Sequence, residues 1–181
     1  SFRKSDLMEL MDALVIKVNS LDSAAHVRRS VFADPDSLYD KTVEAYATLA
    51  RENERFRVSN PSIKSSLFGS FGNYLGYTGY YNPFTGEAQV NTAVPLFLQP
   101  FTSCHELGHL LGFARENEAN FAGYLAARSS PDPAFRYSVY FDMYLYGRSY
   151  LKRSDSLLTR KYDALLDPLV KKDMEIGRAH V

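Results

Sequence analysis

The sequence predicts an α+β domain that is mostly helical, and three features of its 181 residues lead to that class. Apolar residues recur at helical spacing through most of the first and last thirds of the chain. Residues 62–91, within the middle third of the chain, are rich in Gly, Tyr, Ser and Phe and lack that spacing, which favours short strands joined by turns. An H-E-x-x-H sequence, His105-Glu106-Leu107-Gly108-His109, follows inside an apolar run. We therefore expect a small β-sheet beside the helix that carries this motif.

The first third of the chain predicts helices. These are an amphipathic helix over residues 4–18, a helical stretch over 22–32 that ends before Asp34-Pro35, and a helix from a cap at Asp36 or Ser37 to about Phe56. The apolar stripe of the first helix is typical of a core-facing surface. His26 lies in the second stretch, where a lone His is more often a satisfied surface residue than a ligand.

The best strand candidate in the middle third is the alternating segment Glu87-Ala88-Gln89-Val90-Asn91. It follows turn residues at Asn82-Pro83 and Thr85-Gly86. Two roles are open for residues 88–92. The segment forms a cleft edge that pairs with an extended substrate, or it belongs to a hairpin that packs against the helices.

The H-E-x-x-H segment predicts a helix that starts at a cap on Thr102 or Ser103 and stops at Gly112. Residues four apart share one helix face, so His105 and His109 can direct their imidazoles at one metal ion. Glu106 is rotated off that pair but can reach a water at the metal as a general base. The alternative is a surface helix with solvated side chains. The apolar residues Leu107, Leu110 and Leu111 argue against it, because they indicate a buried face.

A third ligand is expected from the next helix, residues 116–127. Arg115 stands where a metzincin has its third His, and an arginine does not bind zinc because it keeps its proton. The remaining candidates are the carboxylates of Glu116 and Glu118. We prefer Glu118, which begins a face shared with Phe121, Ala122 and Leu125, where small residues allow close approach to the first helix. An acid at position 116 is already explained by the helix dipole.

Three resemblances follow from these residues. The H-E-x-x-H motif with Asn117-Glu118-Ala119 resembles the gluzincin signature, in which the Glu is the third zinc ligand. The run Glu118-Ala119-Asn120-Phe121-Ala122 is similar to a segment of the ImmA/IrrE-type peptidases. Residues 80–140 resemble an uncharacterised family of membrane-anchored bacterial HExxH proteins, classed as a domain of unknown function. These resemblances imply a zincin-like metallopeptidase fold, Zn²⁺ as cofactor and transmembrane helices ahead of this domain. One departure is Ala122, where thermolysin-like enzymes carry an Asp that supports the ligands; Asn120 is a candidate replacement.

The predicted function is zinc-dependent hydrolysis of peptide bonds in a peptide or protein substrate, with Glu106 as the base that activates water. The reaction also needs a hydrogen-bond donor for the oxyanion, and the scarcity of His predicts a Tyr or Arg. The candidates are Tyr137 and Tyr140, with Tyr80, Tyr81 and Arg136 behind them. The alternative function is a zinc-stabilised, non-catalytic domain that binds a peptide or another partner.

Composition excludes other classes of protein. The net charge is +0 and no Lys/Arg-rich run is present, which argues against nucleic-acid binding. A single cysteine, Cys104, excludes an internal disulfide and is expected to be a packed thiol.

Two further helices are predicted over 134–151 and 154–171.

We make a separate prediction for each end of the chain. The chain begins at Ser1, and we expect a membrane anchor ahead of it that holds the catalytic domain outside the cytoplasm. Residues 175–181, which include His180, read as the translation of a sequencing adapter. One catalytic domain is therefore expected over residues 1–174.

Overall fold

The computed structural model describes residues 3–59 and 94–178, and these two ranges form seven α-helices and two short 3₁₀-helices. The α-helices are α1 (Lys4–Arg28), α2 (Pro35–Ala50), α3 (Gln99–Leu110), α4 (Glu116–Ser129), α5 (Pro133–Ser154), α6 (Ser156–Leu165) and α7 (Pro168–Arg178), and the 3₁₀-helices are Arg29–Ala33 and Glu54–Phe56.

The predicted α+β class is wrong, because the two described ranges contain helices and no strand. The metal-motif helix α3 packs against α2, α4 and α5, so helices take the place expected for a sheet. The strands were expected within residues 62–91, which lie outside the described residues.

The N-terminal helix is longer than the sequence predicts. The stretches expected over 4–18 and 22–32 form one helix through Arg28, because no Gly or Pro interrupts the chain between them. Its apolar stripe is buried against α5, with Met11 and Val18 fully inaccessible. The start of the next helix, α2, is explained by its capping residue. Asp34 caps α2 by accepting a hydrogen bond from the Ser37 amide at 3.0 Å.

A buried polar network joins distant parts of the chain. The Asp173 carboxylate on α7 is inaccessible to solvent and accepts hydrogen bonds from one Arg29 nitrogen at 2.8 and 2.9 Å. The Tyr137 hydroxyl on α5 donates to it at 2.6 Å, and His26 Nε2 on α1 lies 3.4 Å away. Burial, followed by the neighbouring Asp173 charge, raises the pKa of the Tyr137 phenol far above its ordinary value. The network fixes α7 against α1 and α5.

Within the two described ranges, no helix combines the length and apolar character needed to span a membrane. Helix α7 continues through residues 175–178, and Gly177 is buried near Phe141 and Leu145. The adapter origin of residues 175–181 stays a prediction.

Candidate metal centre

The turn between α3 and α4 is built on one glycine. Gly112 has φ 102°, a left-handed conformation that side chains other than glycine rarely adopt. The Phe113 amide donates to the Gly108 carbonyl at 3.1 Å, and the Gly112 amide donates to the His109 carbonyl at 3.0 Å. These bonds satisfy carbonyls at the end of α3 and reverse the chain, so that α4 returns beside α3.

Small residues let α4 approach α3 with its backbone. A Cβ added to Gly123 would lie 2.8 Å from the His105 backbone nitrogen, and one added to Gly108 would lie 3.4 Å from the Ala119 carbonyl oxygen. Ala119 and Ala122 on α4 are buried. The first turn of α4 is thereby brought next to the C-terminal half of α3.

The opposite side of α3 is anchored in the core. The Tyr46 hydroxyl donates to the Cys104 carbonyl at 2.6 Å, and the hydroxyls of Thr42 and Ser103 hydrogen-bond each other. Cys104 itself is completely buried, as expected for a packed thiol. These contacts fix the rotation of α3, and His105, Glu106 and His109 are partly exposed on its other face.

His105, His109 and Glu116 form a cluster on that face. The two Nε2 atoms are 3.1 Å apart. Oε2 of Glu116 lies 3.4 Å from His105 Nε2, and Oε1 of Glu116 lies 3.3 Å from His109 Nε2. A tetrahedral zinc ion with bonds of about 2.0–2.1 Å holds its ligand atoms about 3.3 Å apart. The three separations therefore fit one zinc ion, and the donor set of two imidazoles and one carboxylate suits that metal.

A hydrogen bond to the backbone orients one imidazole. His109 Nδ1 lies 2.9 Å from the Phe113 carbonyl oxygen. A carbonyl only accepts, so Nδ1 carries the proton and Nε2 presents a lone pair toward the cluster. Such a bond is the usual support of a metal-ligating histidine. His105 Nδ1 is buried without a hydrogen-bond partner in the part of the chain that the structure describes.

Glu106 lies beside the cluster without joining it. Its Oε1 is 3.9 Å from His105 Nε2, and its side chain is 16% exposed, whereas that of Glu116 is 79% exposed. A carboxylate in this position is close enough to reach a water at the cluster and is not required as a ligand.

The carboxylate that lies beside the two imidazoles is not the one that the sequence favours. Glu118 is exposed on α4 and does not approach the imidazoles, while Glu116, the less favoured alternative, does. The buried face of α4 consists of small residues, Ala119, Ala122, Gly123, Ala126 and Ala127. Phe121, whose spacing from Glu118 suggested that this side of α4 faces α3, is 61% exposed. The spacing of glycine and alanine, rather than that of the large apolar residues, is the sequence signal from which the position of Glu116 could have been predicted.

The two tyrosines preferred as oxyanion donors lie elsewhere. Tyr137 is 1% exposed and its hydroxyl is bound to Asp173; Tyr140 is 8% exposed and packs beneath the Lys17 ammonium, 4.7 Å from the ring centroid. His26 beside Tyr137 and Lys17 over Tyr140 both belong to α1, so both tyrosines lie on the side of α5 that faces α1, and neither belongs to the cluster. Arg136 Nε is buried without a partner among the described residues. Tyr80 and Tyr81 lie outside the described residues.

The fold and the cluster together define a helical protein with a candidate metal centre of two histidines and one glutamate on adjacent helices. The chain belongs to the family described as "Protein of unknown function (DUF3810)", whose model matches residues 1–181. This confirms the expected membership in a family of unknown function, and the peptidase and ImmA/IrrE resemblances stay predictions. No curated protein and no solved structure matches the chain.

Proposed function

We propose that this chain is a zinc-dependent metallopeptidase. The observation that carries the proposal is the cluster of His105, His109 and Glu116, whose ligand atoms have the separations of a tetrahedral zinc site. The position of Glu106 beside this cluster supports a catalytic rather than a purely structural centre, because a structural site needs no general base.

The residues present are suited to hydrolysis of a peptide bond. Zinc held by the cluster would polarise the scissile carbonyl and lower the pKa of water toward about 7. Glu106 takes a proton from the attacking water as the water oxygen bonds to the carbonyl carbon. Glu106 then gives that proton to the amide nitrogen as the carbon–nitrogen bond breaks. The products are a carboxylic acid, which releases its remaining proton to solvent, and an amine, and Glu106 returns to its ionised state.

Two accompanying expectations belong to the same proposal. The substrate is a peptide or protein, and the parent protein holds this domain outside the cytoplasm through an N-terminal membrane anchor. The exposure of Glu116 supports access of a large substrate, because the cluster faces solvent within the described part of the chain.

Glu106→Gln tests the catalytic assignment. We expect the variant to bind one zinc ion per chain, because the ligands are intact, and to lose peptidase turnover by about 10²- to 10⁴-fold, the usual contribution of a general base. Metal analysis after dialysis measures the zinc, and a library of quenched fluorescent peptides measures the turnover. Glu9→Gln, at an exposed site on α1, is the matched control and should behave as wild type.

Two results would reject the enzyme. Full turnover in Glu106→Gln would show that the base has been assigned wrongly. Zinc binding by the wild type without cleavage of any library peptide would favour the alternative, a zinc-stabilised domain that binds a partner.

A further inference from the structure

Three side chains on α4 lie in one row. Glu116, Asn120 and Tyr124 are four residues apart, so they share one side of the helix at intervals of about 6 Å. Glu116 is the member that meets the imidazoles. The other two members therefore extend along the same side of α4, away from its first turn.

The contacts between the helices set the level of Tyr124 relative to α3. Gly108 meets Ala119 and His105 meets Gly123, so the two helices run antiparallel, with one ascending as the other descends. Tyr124 directly follows Gly123 and is thus level with His105. At about 100° per residue, Glu116 lies about 20° from Gly123 and Tyr124 about 100° from it in the same sense, so Tyr124 is turned out of the helix contact past the position of Glu116.

The Tyr124 ring is held in place by its neighbours on α4. Phe121 stacks against it with ring centroids 6.5 Å apart and an interplanar angle of 29°, and the Arg128 guanidinium lies 5.3 Å from its centroid. Aromatic side chains on helices lean toward the N-terminal end, which here is the end that carries Glu116. The Tyr124 hydroxyl makes no hydrogen bond to the described residues 3–59 and 94–178, unlike the hydroxyl of Tyr137.

We propose that Tyr124 is a catalytic residue of the candidate metal centre. Its hydroxyl donates a hydrogen bond to the scissile carbonyl oxygen as that oxygen gains negative charge, and it keeps its own proton throughout. Phe121 and Arg128 are positioning residues that hold the ring. This inference rests on the proposed peptidase function and supplies the donor that Tyr137 and Tyr140 cannot provide from the far side of α5.

Tyr124→Phe removes the hydroxyl and keeps the ring, and Tyr146→Phe, at a 74% exposed tyrosine on α5, is the matched control. With the zinc-loaded proteins and a quenched fluorescent peptide, we expect Tyr124→Phe to lower kcat by about 100-fold or more, as loss of one oxyanion donor does. KM and zinc content should stay within about three-fold of wild type, because the interaction forms only in the transition state.

A second readout does not depend on turnover. A dipeptide phosphonate carries the tetrahedral geometry and negative oxygens of the transition state, and calorimetry measures its affinity for each zinc-loaded protein. Tyr124→Phe should bind the phosphonate about 10- to 100-fold more weakly, and Tyr146→Phe should match wild type.

The outcomes separate this inference from the proposed function. Equal kcat and equal phosphonate affinity in the two variants would overturn the role of Tyr124 even in an active peptidase. Loss of zinc or a lower melting temperature in Tyr124→Phe alone would also overturn it, in favour of a structural tyrosine. A wild type that binds the phosphonate but cleaves no peptide would reject the peptidase. A Tyr124-dependent affinity would then still support the hydroxyl as the anion donor of the centre.

Discussion

At the scale of single residues, Asp142 is expected to make the stability of the protein depend on pH. Its carboxyl group is partly buried on α5, and burial raises its pKa to about 6. A carboxyl whose folded-state pKa exceeds its unfolded value favours the folded state while it is protonated. That contribution is complete below about pH 4 and is lost as the pH rises through about 6.

We expect Asp142→Asn to remove this loss. The free energy of unfolding of the wild type should fall between pH 4 and 7 by up to about 2–3 kcal/mol through this group, and that of the variant should not. At pH 8 the variant should be the more stable protein. Denaturant titrations across this pH range measure the difference, with Asp40→Asn, an exposed carboxylate on α2, as the control. A variant that keeps the wild-type slope would show that Asp142 is not its source.

The motif residues were predictable one by one, and the carboxylate that joins the two imidazoles was not. His105, Glu106 and His109 follow from a local spacing that a single helix converts directly into geometry. Glu116 depends on how α4 is rotated against α3, which is a tertiary property. An acid in the first turn of a helix also has a sufficient local explanation in the helix dipole, so the residue type at position 116 gave no reason to expect a contact with the imidazoles.

At the scale of elements, the packing of α4 on α3 depends on residues with little hydrophobic signal. Phe121 and Leu125 dominate the apolar pattern of α4, yet the contact is made by Ala119, Ala122 and Gly123. Close approach of two backbones requires small side chains, and small side chains contribute weakly to apolar periodicity. The apolar pattern therefore predicts the helix correctly but indicates the wrong face for its contact with α3.

Gly123→Ala should weaken the candidate metal centre without changing His105, His109 or Glu116. The added Cβ would lie 2.8 Å from the His105 backbone nitrogen, so α4 has to move away from α3. We expect about 1–3 kcal/mol of destabilisation and a zinc affinity about 10-fold lower, as Glu116 moves away from the imidazoles.

Gly147→Ala is the matched control for that change. Its Cβ would lie equally close, 2.8 Å, to the Met11 sulfur, which can rotate aside because it belongs to a flexible side chain. Zinc affinity should be unchanged in this variant, and calorimetric titration compares the two. Equal zinc affinity in both variants would contradict the role given to the α3–α4 contact.

At the scale of the whole molecule, the buried Asp173 network joins the N-terminal, central and C-terminal helices. We expect Asp173→Asn to lower the free energy of unfolding by about 3–5 kcal/mol, because it leaves the Arg29 guanidinium without its buried counter-charge. Asp6→Asn breaks an exposed ion pair with Arg3 and should cost less than about 1 kcal/mol. Thermal unfolding measures both, and similar values would show that the network does not hold the helices together.

The fold class was the least predictable property at this scale. Local apolar spacing predicts the helices directly, whereas the sheet was predicted from residues 62–91 because they lack such spacing. Absence of helical periodicity does not by itself indicate strands. The described residues bury the metal-motif helix against α2, α4 and α5, a set of partners that no local pattern in α3 specifies.

The most direct test of the metal centre compares zinc affinity in Glu116→Gln and Glu118→Gln by competition with a chelator of known affinity. The two glutamates stand two residues apart on α4 and differ in whether they reach the imidazoles. We expect Glu116→Gln to raise the zinc Kd by about 100-fold or more, since a charged ligand is lost, and Glu118→Gln to leave it unchanged. A large loss in Glu118→Gln with wild-type affinity in Glu116→Gln would contradict the account.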